Sequence, residues 1–249
     1  MPVDYKSETE SRIGFIRSIL KAGGMDKIVF ANSGGKDSVL TGILCKLACD
    51  DTLGLILPCG TKRNFGEDKT DAERFAAQFK IETRYVDLTP LRDQFLSALG
   101  GVVKLNGAAE INVAPRLRMA ALYAVSAAEG RMVAGTGNFS EAYMGYFTKW
   151  GDTDYDFNPI ADLTVTEIFG YLRYFGAPES IYLKPPSGGL YDGQTDEAEL
   201  GVSYSAIDRY IETGEGDDAD VAIIKSYHAK SAHKRTMPAV YQGRRTKYD

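Results

Sequence analysis

The chain has 249 residues, 44% of them hydrophobic and 25% charged, a composition that excludes a disordered, collagen-like or coiled-coil protein. Its length predicts one domain, or two at most, and its net charge of −5 argues against nucleic acid as a partner. The three cysteines lack paired CxxC spacing, no apolar run could span a membrane, and the first twelve residues are polar. We therefore expect a cytoplasmic protein without disulfides, structural zinc, membrane span or signal peptide.

Predicted strands and helices alternate over the first 150 residues. Short apolar runs predict strands at 27–31, 53–57, 81–86 and 131–134, and helical spacing of apolar residues predicts helices at 5–22, 38–49, 68–79, 90–99 and 116–129. This alternation is typical of an α/β protein, so we expect a single-domain, Rossmann-like parallel sheet with helices on both faces. Sheets of this kind bind ligands at the carboxyl ends of their strands.

The rest of the chain has helical patterns on either side of a long loop. Helices are predicted at 140–147, 164–175, 203–213 and 219–231, and the Pro/Gly-rich segment 184–200 is predicted to be a loop. Ten acidic residues and one basic residue lie between 192 and 220, whereas seven Lys/Arg and no acidic residue lie between 225 and 247. The basic segment is either a solvated face or a cover over small-molecule phosphates.

The loop 31–38, with the sequence ANSGGKDS, follows a predicted buried strand and opens a predicted helix. Its glycines let backbone N–H groups approach a ligand closely, and the helix N-terminus adds a positive dipole end, so the loop is suited to phosphate. It is not a Walker A loop, because Asp37 stands where Ser or Thr is required. An Asp inside a phosphate loop implies a cation between the two, and we therefore expect Mg²⁺ carried on a polyphosphate.

The motif SGGxDS in this setting resembles the pyrophosphatase loop of the N-type ATP pyrophosphatases, which split ATP between its α and β phosphates. A second loop, GTGNFSE at 135–141, is followed by GYFTKWGD at 145–152, and together they resemble the NAD synthetases. So do PIADLT at 159–164, GAPESIYLKPPSGGLYDGQTDEAELGVSY at 176–204 and SAHKRTMPAVY at 231–241. Because these separate motifs occur in order from about residue 10 to 241, the resemblance is specific.

The resemblance implies an ammonia-dependent NAD synthetase with a fold like that of the adenine nucleotide alpha hydrolases. In that family ATP adenylates the nicotinate carboxylate of deamido-NAD, and ammonia then displaces AMP to give NAD. Family resemblance also implies a homodimer. Only about 25 residues precede the first predicted strand and none is Cys, so we expect one domain over 1–249, no N-terminal glutaminase domain, and free ammonia as the nitrogen donor.

The resemblance assigns roles to residues whose positions match the family motifs. Asp37 and Glu141 are expected to hold Mg²⁺, and Asp37, Lys149 and Asp156 are expected to be catalytic. For Asp156 the hypothesis is that its carboxylate holds and deprotonates ammonium near the nicotinate. The expected deamido-NAD-binding residues are Arg116, Lys149, Asp156, His233 and Lys234. The expected ATP-binding residues are Ala31, Asn32, Ser33, Gly34, Gly35, Lys36, Asp37, Ser38, Thr136 and Ser187.

Two departures from the family pattern leave alternatives open. Val165 stands where the family has a Lys that contacts an ATP phosphate, and Lys36 is the nearest candidate replacement in the sequence. Thr153 and Asp154 replace two glycines, which leaves the geometry before Asp156 open. The alternatives are another pyrophosphatase-loop enzyme of the GMP synthetase or tRNA-modifying kind, a dehydrogenase using the 135–137 loop, and a nucleotide sensor. A sensor would bind ATP without releasing pyrophosphate.

Overall fold

Four parallel strands form the centre of the computed structural model, which describes residues 3–241. They are β1 (Ile28–Ala31), β2 (Thr52–Ile56), β3 (Glu82–Tyr85) and β4 (Met132–Ala134), in the spatial order β3-β2-β1-β4. β1 pairs with β2 on one side and with β4 on the other, in both cases in parallel. The direction in which strands are added therefore reverses between β1 and β4, and open parallel sheets bind ligands at such a switch point.

Helices surround this sheet, and a 3-10 turn at Ala232–Lys234 follows the last of them. Over the described residues they are α1 (Tyr5–Gly23), α2 (Lys36–Ala48), α3 (Lys62–Phe65), α4 (Glu67–Phe79), α5 (Thr89–Gly100), α6 (Gly107–Ile111), α7 (Val113–Glu129), α8 (Phe139–Met144), α9 (Val165–Tyr174), α10 (Glu179–Leu183), α11 (Asp196–Leu200), α12 (Tyr204–Thr213) and α13 (Asp218–Lys230).

Both faces of the sheet are covered because the central strands are apolar on both sides. On one face, Phe30 of β1 lies in a buried cluster with Ile43 of α2 and Phe75 of α4. On the other face, Val29 of β1 lies in a second buried cluster with Leu122 of α7. The two clusters confirm the predicted parallel sheet with helices on both faces. β3 is mostly exposed, as expected of a strand at the edge.

A third apolar cluster lies beside the sheet and supports the loop that follows β4. It contains Met144 of α8, Val165 of α9, Ile207 of α12 and Ile224 of α13, all buried. The start of α8 is thereby fixed at the carboxyl end of β4, next to the switch point.

The structure differs from the sequence prediction mainly at short helices. The segment between the predicted strand 53–57 and the predicted helix 68–79 contains α3, the loop 184–200 ends in α11, and neither α6 nor α10 was predicted. Each of these helices has only four or five residues, which is too short to show a hydrophobic period. α3 and α6 are started by Thr61 and Asn106, whose side chains accept backbone hydrogen bonds from the first turn.

Among the described residues, no helix is both long and apolar enough to cross a membrane. The three cysteines are free thiols. The end of the basic segment, residues 242–247, lies outside the described residues.

Candidate active site

A cleft lies at the carboxyl ends of β1 and β2, and we call it the nucleotide cleft. It encloses about 790 Å³, a volume that includes its open mouth. One wall is formed by the phosphate loop (residues 31–38) and the end of β2, and the other by the segment 184–189. Seven of the predicted ATP-binding residues line it: Ala31, Asn32, Ser33, Gly35, Lys36, Asp37 and Ser187.

The phosphate loop has a backbone conformation that requires glycine at one position. Gly34 has φ +70°, and a Cβ added there would lie 2.3 Å from the carbonyl oxygen of Asp68. Its neighbour Asn32 is fully buried and donates from Nδ2 to the carbonyl of Ala72, 3.1 Å away, which ties the loop to α4. No side chain caps α2 at Gly35, so the first N–H groups of this helix have no side-chain capping partner. Free N–H groups at a helix N-terminus bind anions.

The predicted metal ligands Asp37 and Glu141 meet at the switch point, although they follow different strands. Lys36 joins them: its Nζ lies 2.7 Å from Asp37 Oδ2 and 3.3 Å from Glu141 Oε1. Asn138 joins them a second time, since its Oδ1 accepts from the backbone N–H of Glu141 at 2.9 Å and its Nδ2 donates to Asp37 Oδ1 at 3.0 Å. The ends of β1 and β4 are therefore linked by a charged cluster of Lys36, Asp37, Asn138 and Glu141.

Burial perturbs the proton equilibria of this cluster. It raises the pKa of Glu141 to about 8, and the nearby Asp37 adds to the effect. Burial alone would lower the pKa of Lys36, but the Asp37 and Glu141 carboxyls outweigh it and hold that pKa above its ordinary value. The pKa of Asp196 on α11 is raised by burial. Its two oxygens accept from the backbone N–H of Gly188 at 3.0 Å and the hydroxyl of Tyr204 at 3.1 Å.

The donor set at the switch point fits Mg²⁺ bound together with a polyphosphate. Over residues 3–241 no group of three or more His, Cys, Asp or Glu side chains could hold a metal ion on its own. Asp37 and Glu141 supply two carboxyls that already converge on one cationic group, the Lys36 ammonium. Mg²⁺ in nucleotide-binding enzymes is held by one or two carboxylates, with phosphates and water completing its shell.

The predicted deamido-NAD residues form a second group, which we call the basic cluster. Arg116 Nη2 donates to the carbonyl of Lys149 at 3.0 Å, and Lys149 Nζ donates to the carbonyl of His233 at 2.8 Å. Lys234 Nζ donates to the carbonyls of Gly145 and Phe147 at 2.9 and 2.6 Å. The structure thus brings four of the five predicted residues together through the start of α7, the segment 145–149 and the 3-10 turn.

Asp156, the fifth, lies along the open side of β4. Its backbone N–H donates to the carbonyl of Val133 at 2.9 Å, and its Oδ2 accepts from the N–H of Val133 at 2.7 Å. Its Oδ1 accepts from the Tyr123 hydroxyl of α7 at 3.2 Å. Burial and the neighbouring carboxylate raise the pKa of Tyr123 to about 12, so this hydroxyl keeps its proton at neutral pH. The exposed Asp156 carboxylate is therefore oriented by two donors.

In the segment before Asp156, the residue with a left-handed backbone is neither of the two substituted residues, Thr153 and Asp154. Trp150 has φ 60°, whereas neither Thr153 nor Asp154 has a positive φ. Gly135 remains necessary, because a Cβ there would lie 2.3 Å from the ring of Tyr155. The replacements at 153 and 154 therefore fit the observed turn, and the ring of Tyr155 packs directly on the end of β4.

Two predicted contacts, Thr136 and Ser38, and the substituted position Val165 have a less direct relation to the cleft. Val165 is buried in the third apolar cluster, with its N–H donating to Ser140 Oγ at 3.1 Å, so no charge comes from this position. Thr136 stands two residues beyond β4 and is not among the residues that line the cleft. Ser38 supports the loop from inside, since Ser33 Oγ donates to Ser38 Oγ at 3.1 Å.

Sequence reasoning missed several residues that shape the site. Arg118 lines the cleft and donates to the carbonyl of Leu57 and to Oδ1 of Asn64, both at 3.0 Å. Lys184 pairs with Asp68 and Asp71 at 3.2 and 2.7 Å, which anchors the segment 184–189 on α4. The spacing of Arg116 and Arg118 could have indicated that Arg118 serves a different site from Arg116, because residues two apart on a helix face opposite directions.

Known proteins that resemble this chain identify its family. The model of the NAD synthase family matches residues 8–247. The NH(3)-dependent NAD(+) synthetase of Carboxydothermus hydrogenoformans is 38% identical over 96% of this chain and 99% of its own. The solved NMN synthetase of Francisella tularensis has a TM-score of 0.91 at 30% identity, covering 97% of this chain and 100% of that one. An NH3-dependent NAD synthetase from Campylobacter jejuni has a TM-score of 0.79 at 28% identity, covering 96% and 100%. A strand-end phosphate loop, two converging carboxyls and full-length matches lead to one conclusion: this chain belongs to the NAD synthase family.

Proposed function

We propose that this protein is a ligase that converts deamido-NAD, ATP and ammonia to NAD, AMP and pyrophosphate. One observation carries the proposal: the phosphate loop after β1 and the carboxyl of Glu141 after β4 converge on one cationic group at the switch point. This arrangement suits an enzyme that holds a metal-bound triphosphate while its α phosphate is attacked. The NAD synthetases that resemble the chain over nearly its whole length support the same reaction.

The proposed reaction has two steps, adenylation of deamido-NAD and displacement of AMP by ammonia. A carboxylate oxygen of the nicotinate attacks the α phosphorus of ATP, a P–O bond forms, and pyrophosphate leaves. Ammonia then attacks the carbonyl carbon of the acyl adenylate, a C–N bond forms, AMP leaves, and one proton is lost. We assign the α2 N-terminus and Lys36 to the phosphates, and Lys149 and Asp156 to the acceptor end.

The basic cluster supports an anionic acceptor. Arg116, Lys149, His233 and Lys234 lie together around the segment 145–149 and place several positive charges there. Planar guanidinium groups bind phosphate through paired hydrogen bonds. Asp156 is held by Val133 and Tyr123 with its carboxylate exposed, and there it could accept a proton from ammonium.

Asp37 and Glu141 would hold Mg²⁺, with Asn138 orienting both of them. When bound there, the ion would neutralise charge on the departing pyrophosphate. The remaining predicted ATP contacts, Thr136 and Ser187, stay proposals; Ser187 lines the cleft and accepts at Oγ from the N–H of Gly189 at 3.1 Å.

We also propose that the chain acts as one domain and as a homodimer in the cytoplasm. The exposed large apolar side chains near the sheet edge support a dimer: Leu91 and Phe95 of α5, which has no buried residue, and Val103 just after it. Clustered exposed apolar side chains mark protein interfaces. Light scattering on the native protein and on Phe95→Asp tests this, since a dimer through α5 must dissociate in the variant. The free thiols agree with a reducing compartment.

One assay tests the activity. The protein is mixed with ATP, Mg²⁺ and deamido-NAD, and with ammonium or glutamine as the nitrogen donor. We expect NAD, AMP and pyrophosphate in equal amounts with ammonium and no NAD with glutamine. A protein that binds ATP and releases no pyrophosphate under any condition would be a sensor, and the proposal would be wrong.

A second candidate differs only in the acceptor. The NMN synthetase of F. tularensis has the TM-score of 0.91, well above the 0.79 of the C. jejuni NAD synthetase at a similar identity. Amidation of nicotinate mononucleotide needs the same nucleotide cleft and a smaller acceptor site. The two candidates separate by kcat/KM for deamido-NAD against nicotinate mononucleotide: a ratio above 1 supports the NAD synthetase, and a ratio below 1 supports the NMN synthetase.

A further inference from the structure

The charged cluster at the switch point contains one lysine in an unusual place. Lys36 is the first residue of α2, its side chain is only 7% exposed, and its ammonium lies between Asp37 and Glu141 rather than in the open cleft. The ring of Tyr204 covers it from one side, with Nζ 5.5 Å from the ring centroid. The ammonium therefore occupies the space between the two carboxyls that are the proposed metal ligands.

Two positive ions cannot share that space. An ammonium 2.7 Å from one carboxyl and 3.3 Å from the other leaves no room for a divalent cation bound to the same oxygens. At such separations like charges repel strongly in a partly buried site. A metal ion that takes both carboxyls must first displace Lys36.

The lysine has an alternative position close by. It lines the nucleotide cleft, and its stem has four rotatable bonds, so the ammonium can turn from the carboxyls to the place where a polyphosphate would lie. An ionised carboxylate in a buried site needs a counter-charge. Lys36 supplies it in the free protein, and the metal supplies it once the nucleotide is bound.

We propose that Lys36 is a resident cation that holds Asp37 and Glu141 together in the free protein, and that it exchanges with the metal when ATP enters, moving its ammonium to the polyphosphate. The inference rests on the proposed metal site and adds an order of events to it. Metal alone binds weakly because the ammonium that it must displace has no other ion-pair partner among the described residues of the free protein. Metal with ATP binds well because the phosphates give that ammonium a new partner, so the two ligands are positively coupled.

The test measures binding of Mn²⁺ to the full chain by electron paramagnetic resonance, without nucleotide. Because Lys36 lowers the pKa of Glu141, its removal shifts proton loss from that carboxyl to higher pH, so the proteins are compared at the pH where the Mn²⁺ affinity of each levels off. Lys36→Met removes the resident charge and keeps the length of the side chain. Lys36→Arg keeps the charge. Lys104→Met removes one exposed positive charge from the loop after α5 and controls for the change in net charge.

We expect Lys36→Met to bind Mn²⁺ at least about tenfold more tightly than the unmodified protein, the size of one close charge repulsion removed. Lys36→Arg and Lys104→Met should bind no more tightly than the unmodified protein. The non-hydrolysable analogue α,β-methylene-ATP should strengthen Mn²⁺ binding less in Lys36→Met than in the unmodified protein. If Lys36→Met is less stable than the unmodified protein in chelator, Mn²⁺ should raise the melting temperature of the variant by more than it raises that of the unmodified protein.

Equal or weaker Mn²⁺ binding by Lys36→Met overturns the exchange while leaving the metal site standing. Tighter binding by Lys36→Arg overturns it too, because the charge is then not the cause. No Mn²⁺ binding by the unmodified protein even with the ATP analogue is a different result: it removes the proposed metal site and the exchange with it.

Discussion

Asn138 links the two halves of the site, and its replacement should cost stability in two separable parts. The residue is fully buried at the start of α8. Its Oδ1 caps the helix by accepting from the N–H of Glu141, and its Nδ2 donates to Asp37. Asn138→Ala removes both contacts, whereas Asn138→Ser retains a capping hydroxyl that is too short to reach Asp37.

The two contacts have different expected energies. Loss of a helix cap costs about 1 kcal/mol. Loss of a hydrogen bond to a charged carboxylate costs about 1.5–3 kcal/mol. We therefore expect Asn138→Ala to lower the free energy of unfolding by about 2.5–4 kcal/mol, and Asn138→Ser by about 1 kcal/mol less than that.

Urea unfolding at pH 7 in chelator measures both variants, with the denaturant slope checked for constancy. Asn106→Ala is the matched control, because Asn106 caps the exposed helix α6 in the same way and touches no charged group. It should cost no more than the capping contribution, about 1 kcal/mol. If Asn138→Ser is as stable as the unmodified protein, the link to Asp37 contributes nothing and the reasoning fails.

Two further perturbations test the loop and the carboxyl pair. Because burial raises the pKa of Glu141 to about 8, metal binding at pH 7 should release close to one proton. The metal affinity should therefore rise about tenfold per pH unit up to pH 8 and then level off. Calorimetry in buffers of different ionisation enthalpy counts the released proton, and an affinity that does not change with pH contradicts this prediction. Gly34→Ala should destabilise by about 2 kcal/mol or more and raise the KM for ATP, since its φ is left-handed and its Cβ would meet Asp68. Gly107→Ala, with open space around it, should do neither, and an unchanged KM in Gly34→Ala would refute the loop geometry.

The fold was predictable because its signals are local. Each central strand is a short apolar run buried on both faces, and each long helix carries a stripe of apolar residues, so period and length alone identified them. The residues 139–144 and 165–174 were found within a few positions for the same reason. The helices α3, α6 and α11 were missed because four or five residues cannot complete a hydrophobic period.

The site was predictable only where a motif carries its own chemistry. The phosphate loop can be recognised in the sequence from two glycines and an Asp at the start of a helix. The contacts that join separate segments left no such signal: Asn138 reaches Asp37 across two strand ends, and Lys184 reaches Asp68 across more than a hundred residues. Such pairs depend on how the strands are ordered in the sheet, which periodicity along one segment does not encode.

Arg116 and Arg118 allow a test of whether the two sides of α7 serve different substrates. Arg116 joins the basic cluster through the carbonyl of Lys149, whereas Arg118 enters the nucleotide cleft beside Leu57. Residues two apart on α7 point to opposite sides, so the two arginines should serve different substrates. We expect Arg116→Met to raise the KM for deamido-NAD, and Arg118→Met to raise the KM for ATP, each by about tenfold, the value of one charge-assisted contact. Arg118 is also held by protein groups, so its variant must first be shown to unfold at a similar urea concentration. If both variants raise the same KM, the separation of the two sites across α7 is wrong.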